Sequence, residues 1–268
     1  MEMETETGKK LSGRMIALIS VVAFFAAVLI YYSIMMMLSP GRKYSDIRHE
    51  FGIDSTEKSR EGNKIFSDST YLKLLKEKAF LQSKMIMAET DSIYLTLNLS
   101  DSTANLEICG VTVHSARFTG MEASKIFKKG DENLILSLMS TPFLIARDWA
   151  TIKKEPVMIK MAPKDTSEYK PDIMPDTSIT EPVNYILEMT DGTRIYVCQQ
   201  ELENRADRKS RFRFDMQYRL RDALSCMKSI FKLKIPDYHL YIKIYLPRAD
   251  AKIIYRAIPK YGQVGLYR

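Results

Sequence analysis

The sequence predicts an α+β protein: one transmembrane helix, a polar tether, a further helix, and then a mainly antiparallel β-rich domain with a few helices. Three observations predict it. A charge-free run from Met15 to Leu38 is long enough to cross a bilayer. Beyond Ser92, several short segments alternate apolar and polar residues with the two-residue period of half-buried strands. Turn-forming Gly, Asp, Ser and Thr separate those segments, with a few stretches of helical period between them. The predicted layout is a short tail over 1–14, the span over 15–38, a tether over 39–68, a helix over 69–91 and the β-rich domain over 92–268.

The span, MIALISVVAFFAAVLIYYSIMMML, would extend about 36 Å as a helix, enough for the hydrocarbon core with some tilt. Tyr31 and Tyr32 stand toward its distal end, where aromatic rings favour an interface. The run is too long for the apolar core of a signal peptide, and no small-x-small cleavage site precedes Pro40. Lys9, Lys10 and Arg14 lie before it and Arg42, Lys43 and Arg48 after it, so basic flanks nearly balance. The short tail before the span favours an orientation with the tail inside and the large domain outside the cytoplasm, as in a single-pass inner-membrane protein.

From Ser39 to Asp68 the text is polar, with Gly41, Gly52 and Gly62 and no sustained period, which predicts a tether. The segment TYLKLLKEKAFLQSKMIMAETD then has helical spacing at Tyr71, Leu74, Leu81, Met85 and Ala88, interrupted by Lys78. It packs on its own domain or forms a seam between copies of the chain, a route to a homo-oligomer.

At Ser92 the period changes. Ile93, Leu95, Leu97 and Leu99 alternate with Tyr94, Thr96 and Asn98, as on a half-buried strand. The stretch ANLEICGVTVHSARF predicts two strands broken at Gly110, with Leu106, Ile108, Val111 and Val113 on the core side and His114 on the opposite, surface side. EASKIFKK reads as a short helix, NLILSLM has neither clean period, and Trp149 is a core or rim anchor. PVMIKM reads as a strand, and the proline-rich stretch over 162–182 is a functional loop or a linker.

In VNYILEMTDGTRIYVCQ, Asp191-Gly192 predicts a hairpin with a two-residue type I′ turn, placing Tyr185, Leu187, Tyr196 and Cys198 on one face. DMQYRLRDALSCMKSIFK is an amphipathic helix with Met216, Leu220, Ala223, Met227 and Ile230 along one stripe. Just before it, Arg208, Lys209, Arg211 and Arg213 surround Phe212 and Phe214. This is either a solvated loop edge or a contact for an anionic partner such as an acidic polymer or lipid headgroups. HLYIKIYL directs Leu240, Ile242, Ile244 and Leu246 inward, and a short helix and a final strand follow.

Composition narrows the chemistry. Apolar residues make up 46% and charged residues 27% of 268, ordinary for a globular chain. The net charge of +7 comes from 40 basic and 33 acidic residues interspersed along the chain, so it does not by itself indicate nucleic acid. Cys109, Cys198 and Cys226 form no CxxC pair and no metal spacing with His49, His114 or His239. Neither a phosphate-binding glycine loop nor HExxH nor G-x-S-x-G is present, so no cofactor, metal or catalytic residue is assigned.

Two segments resemble a known family. YLPRADAKIIYRAIPKYGQVGLYR is similar to the C-terminal edge of L,D-transpeptidase-type domains at Asp250, Ala251, Tyr255, Gly262 and Val264. IYLTLNLSDSTANLEICGVTV resembles the opening of the same domain. The resemblance implies a cell-wall context. The family's His-Gly-Cys motif is missing here, because the cysteines stand in EICGV, YVCQQ and LSCMKS, which implies a catalytically empty copy. The expected function is therefore a membrane-anchored, non-catalytic envelope domain that binds a protein or a cell-wall polymer. The alternatives are a divergent transpeptidase-like enzyme and a scaffold subunit of a membrane complex.

Overall fold

The apolar run continues as helix well past its expected end. The computed structural model describes residues 13–51, 69–154 and 181–268. Helix α1 spans Gly13–Glu50, so residues 39–50, expected as tether, are helical, with Pro40 inside. Proline removes one backbone donor and crowds the preceding turn. Here the preceding Ser39 is buried and its hydroxyl donates to the Pro236 carbonyl at 2.6 Å, a long-range contact that local polarity could not announce. The expected strand PVMIKM and nearly all of the proline-rich stretch lie outside the described residues.

The chain divides into two compact units. One comprises Met1–Asp46 and Arg221–Tyr238, the other Ile47–Leu220 and His239–Arg268. The larger unit is built on a single nine-stranded sheet. Its elements are α2 (Ser69–Ala88), β1 (Tyr94–Asn98), β2 (Thr103–Ile108), β3 (Val111–Arg117), β4 (Gly120–Ala123), α3 (Lys125–Lys129), α4 (Glu132–Ser140) and β5 (Phe143–Ala150). After the undescribed stretch come β6 (Asn184–Met189), β7 (Arg194–Gln199), α5 (Arg205–Phe231, which belongs to this unit as far as Leu220 and to the smaller one from Arg221), β8 (Tyr241–Leu246), α6 (Arg248–Ala257) and β9 (Gln263–Tyr267). NLILSLM, of neither period in the sequence, is the helix α4, with Asp131 accepting from the Asn133 backbone as its N-cap.

Strand order is β3-β2-β1-β9-β5-β6-β7-β8-β4. The β1–β9 and β7–β8 pairs are parallel and the other six pairings antiparallel, in line with the mainly antiparallel expectation. Helices lie on both sides of the sheet, which is why strands predicted as half-buried are buried on both faces. In β1, Tyr94, Leu95, Thr96 and Leu97 are all buried.

The register carries one apolar face across the sheet. Leu95 and Leu97 lie beside Val264 and Leu266, and Val264 lies opposite Phe143. On the same side Tyr185 and Leu187 pair with Val197 and Ile195, which neighbour Ile244 and Ile242. Helix α6 packs here, with Ala251, Ile254 and Tyr255 buried and the Tyr255 ring 4.8 Å from Tyr185. Asp250 at its start reaches His114 on edge strand β3, at 3.2 Å. Asp250 and Tyr255 of α6 thus touch strands five positions apart in the sheet order.

Helices α2 and α4 cover β1, β2 and β9 on the opposite face. A Cβ on Gly265 would meet the Met87 methyl group of α2, so the missing Cβ leaves room for that side chain against β9. Ala79, Ser83 and Met87 form the buried stripe of α2. The expected seam at Tyr71, Leu74, Leu81 and Met85 faces away and stays exposed. Lys84 adds a partly buried ion pair, its ammonium 2.9 Å from Glu107, whose carboxylate also accepts from the Thr96 hydroxyl at 2.8 Å.

Two hairpins differ from expectation by one residue each, with large consequences. At β6–β7, Glu188 pairs with Arg194 and the Thr193 carbonyl accepts from Met189, so the loop has three residues rather than two. Only Gly192 takes positive φ, at 83°, and Asp191 instead accepts from the Thr193 amide and hydroxyl. The register shift moves Tyr196 and Cys198 to the face opposite Tyr185 and Leu187, correcting the predicted grouping. The two-residue loop with two positive φ values occurs at Cys109-Gly110, at 47° and 82°.

At β2–β3 a bulge follows that turn, because Glu107 pairs with Thr112 but Leu106 with His114. Val113 is the extra residue. Val113 is therefore exposed rather than in the core, Val111 beside the turn is exposed as well, and His114 turns onto the α6 side rather than to the open surface.

Replacing fully buried Met87 by Ala should destabilise the full chain by about 3 kcal/mol, whereas Gln82→Ala on the exposed side of α2 should change stability by less than about 0.5 kcal/mol. Denaturant melts of the detergent-solubilised protein measure both. Equal effects would mean that α2 does not pack on the sheet through this stripe.

Candidate functional site

The basic cluster predicted as a loop edge is helical, because α5 begins at Arg205, ten residues before the predicted helix. At about 100° per residue, Arg208 and Arg211 share one side while Lys209 and Arg213 share another. Arg208, Lys209 and Arg213 are exposed, whereas Arg211 is half-buried with its guanidinium 5.0 Å above the Tyr245 ring. The structure therefore separates the four cations rather than gathering them along an extended edge.

The side of α5 turned to the sheet carries polar and aromatic groups, not the predicted apolar stripe. Met216, Leu220, Ala223 and Met227 are exposed, and of that stripe only Ile230 is buried. Tyr218 and Asp207 point inward instead. The reason lies in the surface beneath. The hairpin register lifts Arg194, Tyr196 and Cys198 to this face, alongside Tyr241, Lys243 and Tyr245 of β8. Tyr218 meets Tyr196 at 5.5 Å and Trp149 at 5.9 Å, both edge-on, and Arg194 stacks over Tyr218 at 5.0 Å.

Lys243 stands 5.5 Å from the Tyr245 ring, and the Tyr245 hydroxyl donates to Glu122 on β4 at 3.1 Å. Arg194 lies 3.9 Å from Glu188. This layer of cations, rings and carboxylates fixes positive charges in place under α5. Beside it Asn184 is fully buried, and neither atom of its amide has a hydrogen-bond partner among the described residues. A polar ligand there would satisfy an otherwise unpaired group.

The ends of the layer are tied down by ionic contacts. Arg248 donates to Asp207 at 2.6 Å, with Asp207 only 3% exposed, and the Arg248 amide donates to Glu201 at 2.9 Å. These bonds join the start of α5 to the start of α6. On the α6 face, the Tyr255 hydroxyl donates to Asp148 at 2.8 Å, and Lys154 sits 3.5 Å from the same carboxylate. Burial, then the Asp148 carboxylate, hold the Tyr255 phenol far above its ordinary range, so it serves as a donor and not as a base. A shallow hollow of about 250 Å³ lies elsewhere, between Leu99, Met121, Phe127, Lys128 and Arg268.

The cysteines occupy three different settings. Cys198 is buried, among charges as well as rings. Burial raises its thiol pKa, and Lys243 and Arg211 only partly oppose this. Cys109 lies in the β2–β3 turn, exposed, with its thiol 3.6 Å from Asp91. Partial desolvation and the Asp91 carboxylate raise its pKa too. Cys226 is half-buried on α5. Among the described residues, no group of three His, Cys, Asp or Glu side chains could hold a metal ion.

His114–Asp250 is the pairing that sequence reasoning missed. It is created by the β2–β3 bulge, and no strand-spacing rule applied to β3 alone would find a carboxylate 136 residues away. The Arg–aromatic layer had a partial signal in the alternation of IYVCQ and HLYIKIYL.

No family model matches this chain, and no curated protein or solved structure matches it either.

Asp207→Ala should destabilise the protein by about 3 kcal/mol, because it leaves the partly buried Arg248 without its charge partner. A smaller loss in the double substitution with Arg248→Met than the sum of the two single changes would show the coupling; strict additivity would deny it. Thiol chemistry supplies a second test. In the native protein Cys109 should react with a disulfide reagent at neutral pH more slowly than a cysteine in a short peptide, with the rate climbing as pH rises through and above the usual thiol range. Asp91→Asn should speed it. Fast labelling of Cys198 before unfolding would contradict its burial.

Proposed function

We propose that this chain is a single-pass membrane protein whose β-rich unit is a non-catalytic binding module, held outside the cytoplasm and directed at an envelope protein or cell-wall polymer. The observation that carries the reading is the exposure of α1. Phe24, Phe25, Leu29 and Ile30 are each more than 60% exposed, and none of the most apolar stretch is buried by the rest of the protein. In water these side chains would forfeit about 25 cal/mol for every Å² left uncovered, whereas a bilayer covers them all.

The binding reading is supported by the character of the large unit. Its conspicuous charges are neutralised by carboxylates or rings in fixed geometry, an arrangement suited to recognition. The transpeptidase-like alternative needs a thiolate near neutral pH, and the surroundings of Cys109 and Cys198 both oppose one. The scaffold alternative has a specific observation in its favour. The seam of α2, with Leu74 58%, Leu81 50% and Met85 67% exposed, is free to meet a second copy anchored in the same membrane.

Protease added to spheroplasts should digest everything beyond about Pro40, and the remaining fragment should resist extraction by alkaline carbonate. Full protection with intact membranes would reverse the orientation. Release into the carbonate supernatant would remove the anchor itself.

A further inference from the structure

We propose that the end of α5 is a second membrane contact: Phe231 and Leu233, with Leu224 and Met227 on the preceding turns, lie in the headgroup region of the bilayer that α1 spans. This rests on the reading of α1 as a membrane span.

The local sequence, FKLKIP from Phe231 to Pro236, alternates apolar side chains with lysines. Phe231 is 79% and Leu233 78% exposed, more than nearly every other large apolar side chain described. Backbone geometry presents them deliberately. The Lys234 amide donates to the Ser229 carbonyl and the Leu233 amide to Ile230, the paired bonds of a helix cap whose central residue takes positive φ. That residue is usually glycine, yet here it is Leu233, at φ 56°. A strained leucine that gains no burial inside the protein indicates a use for its side chain outside it.

Depth follows from the smaller compact unit alone. Ser39 is the first residue beyond the apolar run Met15–Leu38, and its hydroxyl bonds the Pro236 carbonyl at 2.6 Å. Pro236 therefore sits where α1 leaves the hydrocarbon, and Phe231 is only five residues back along the chain. On α1 itself Tyr31, Tyr32 and Met35 are half-buried while Ile34, Met36, Met37 and Leu38 are exposed. The compact unit that α1 forms with Arg221–Tyr238 thus extends along α1 to the turns preceding Ser39, toward the membrane interior.

Charge selects the occupant. Lys228, Lys232 and Lys234 are exposed around the apolar residues, the pattern of a helix end that meets anionic lipid. A second copy seated on the same patch would bring its own three lysines against them.

The test uses the full chain. Phe231→Trp in a Trp149→Phe background is reconstituted into phosphatidylcholine vesicles containing about one third phosphatidylglycerol, with acyl chains brominated or not. Phe25→Trp in the same background reports α1. The expected result is that bromination removes about half or more of the emission of both introduced tryptophans, while the Trp149 emission of the unsubstituted chain is unchanged. Quenching at position 25 but only aqueous iodide quenching at 231 would overturn the second contact and leave the anchor standing. Quenching at neither position would overturn both. Protection of position 231 from both quenchers, together with crosslinked dimers, would assign the patch to a second copy and also overturn the proposal. Replacing Lys228, Lys232 and Lys234 by Gln should reduce the quenching at 231 without altering that at 25.

Discussion

Burial of one short helix against a continuous apolar sheet face is the constraint on which the larger unit depends. Helix α6 offers Ala251, Ile254 and Tyr255 to that face, and the sheet answers with residues from β1, β5, β6, β7, β8 and β9. Through Asp250 and Tyr255, α6 touches both the edge strand β3 and β6. On the opposite face three helical segments, α2, α4 and the start of α5, cover different parts of the sheet. The parallel β7–β8 pair follows from α5, the crossover that joins its two strands.

Single-residue events decide which groups meet on that scaffold. One additional loop residue before β7 exchanges the faces of Tyr196 and Cys198, placing the thiol next to Lys243 and Arg211. One bulge in β3 brings His114 to Asp250 and exposes Val113. Neither event changes the apolar pattern of the strands enough to be visible in it. Both change what chemistry the surface offers, which is why the candidate site was less legible than the strands that carry it.

Helix α5 shows the same limit at a larger scale. Its sequence has a clear apolar stripe, and an amphipathic helix ordinarily turns that stripe to its own core. The sheet beneath presents Arg194, Tyr196, Lys243 and Tyr245, so rings and ion pairs pack better there than methionine and leucine. Tyr218 and Asp207 take the inner side, and the apolar stripe is left for something other than the sheet. In α2 the choice again went against the seam that periodicity marked, because Gly265 provides a hollow that Met87 fills.

The sequence alone determined the apolar length and lack of charge of the run Met15–Leu38 within α1, the existence of most strands, the two hairpins, and the inward set Leu240, Ile242, Ile244 and Leu246, all of them buried. These are properties of local composition and period, which need no partner to be read. Only the tertiary structure decided strand order, the parallel pairs, the helical continuation through Pro40, the inward sides of α2 and α5, and the His114–Asp250 and Asp207–Arg248 contacts. Each of those depends on which surface arrives opposite a residue, and in a strand a shift of one position reverses the answer.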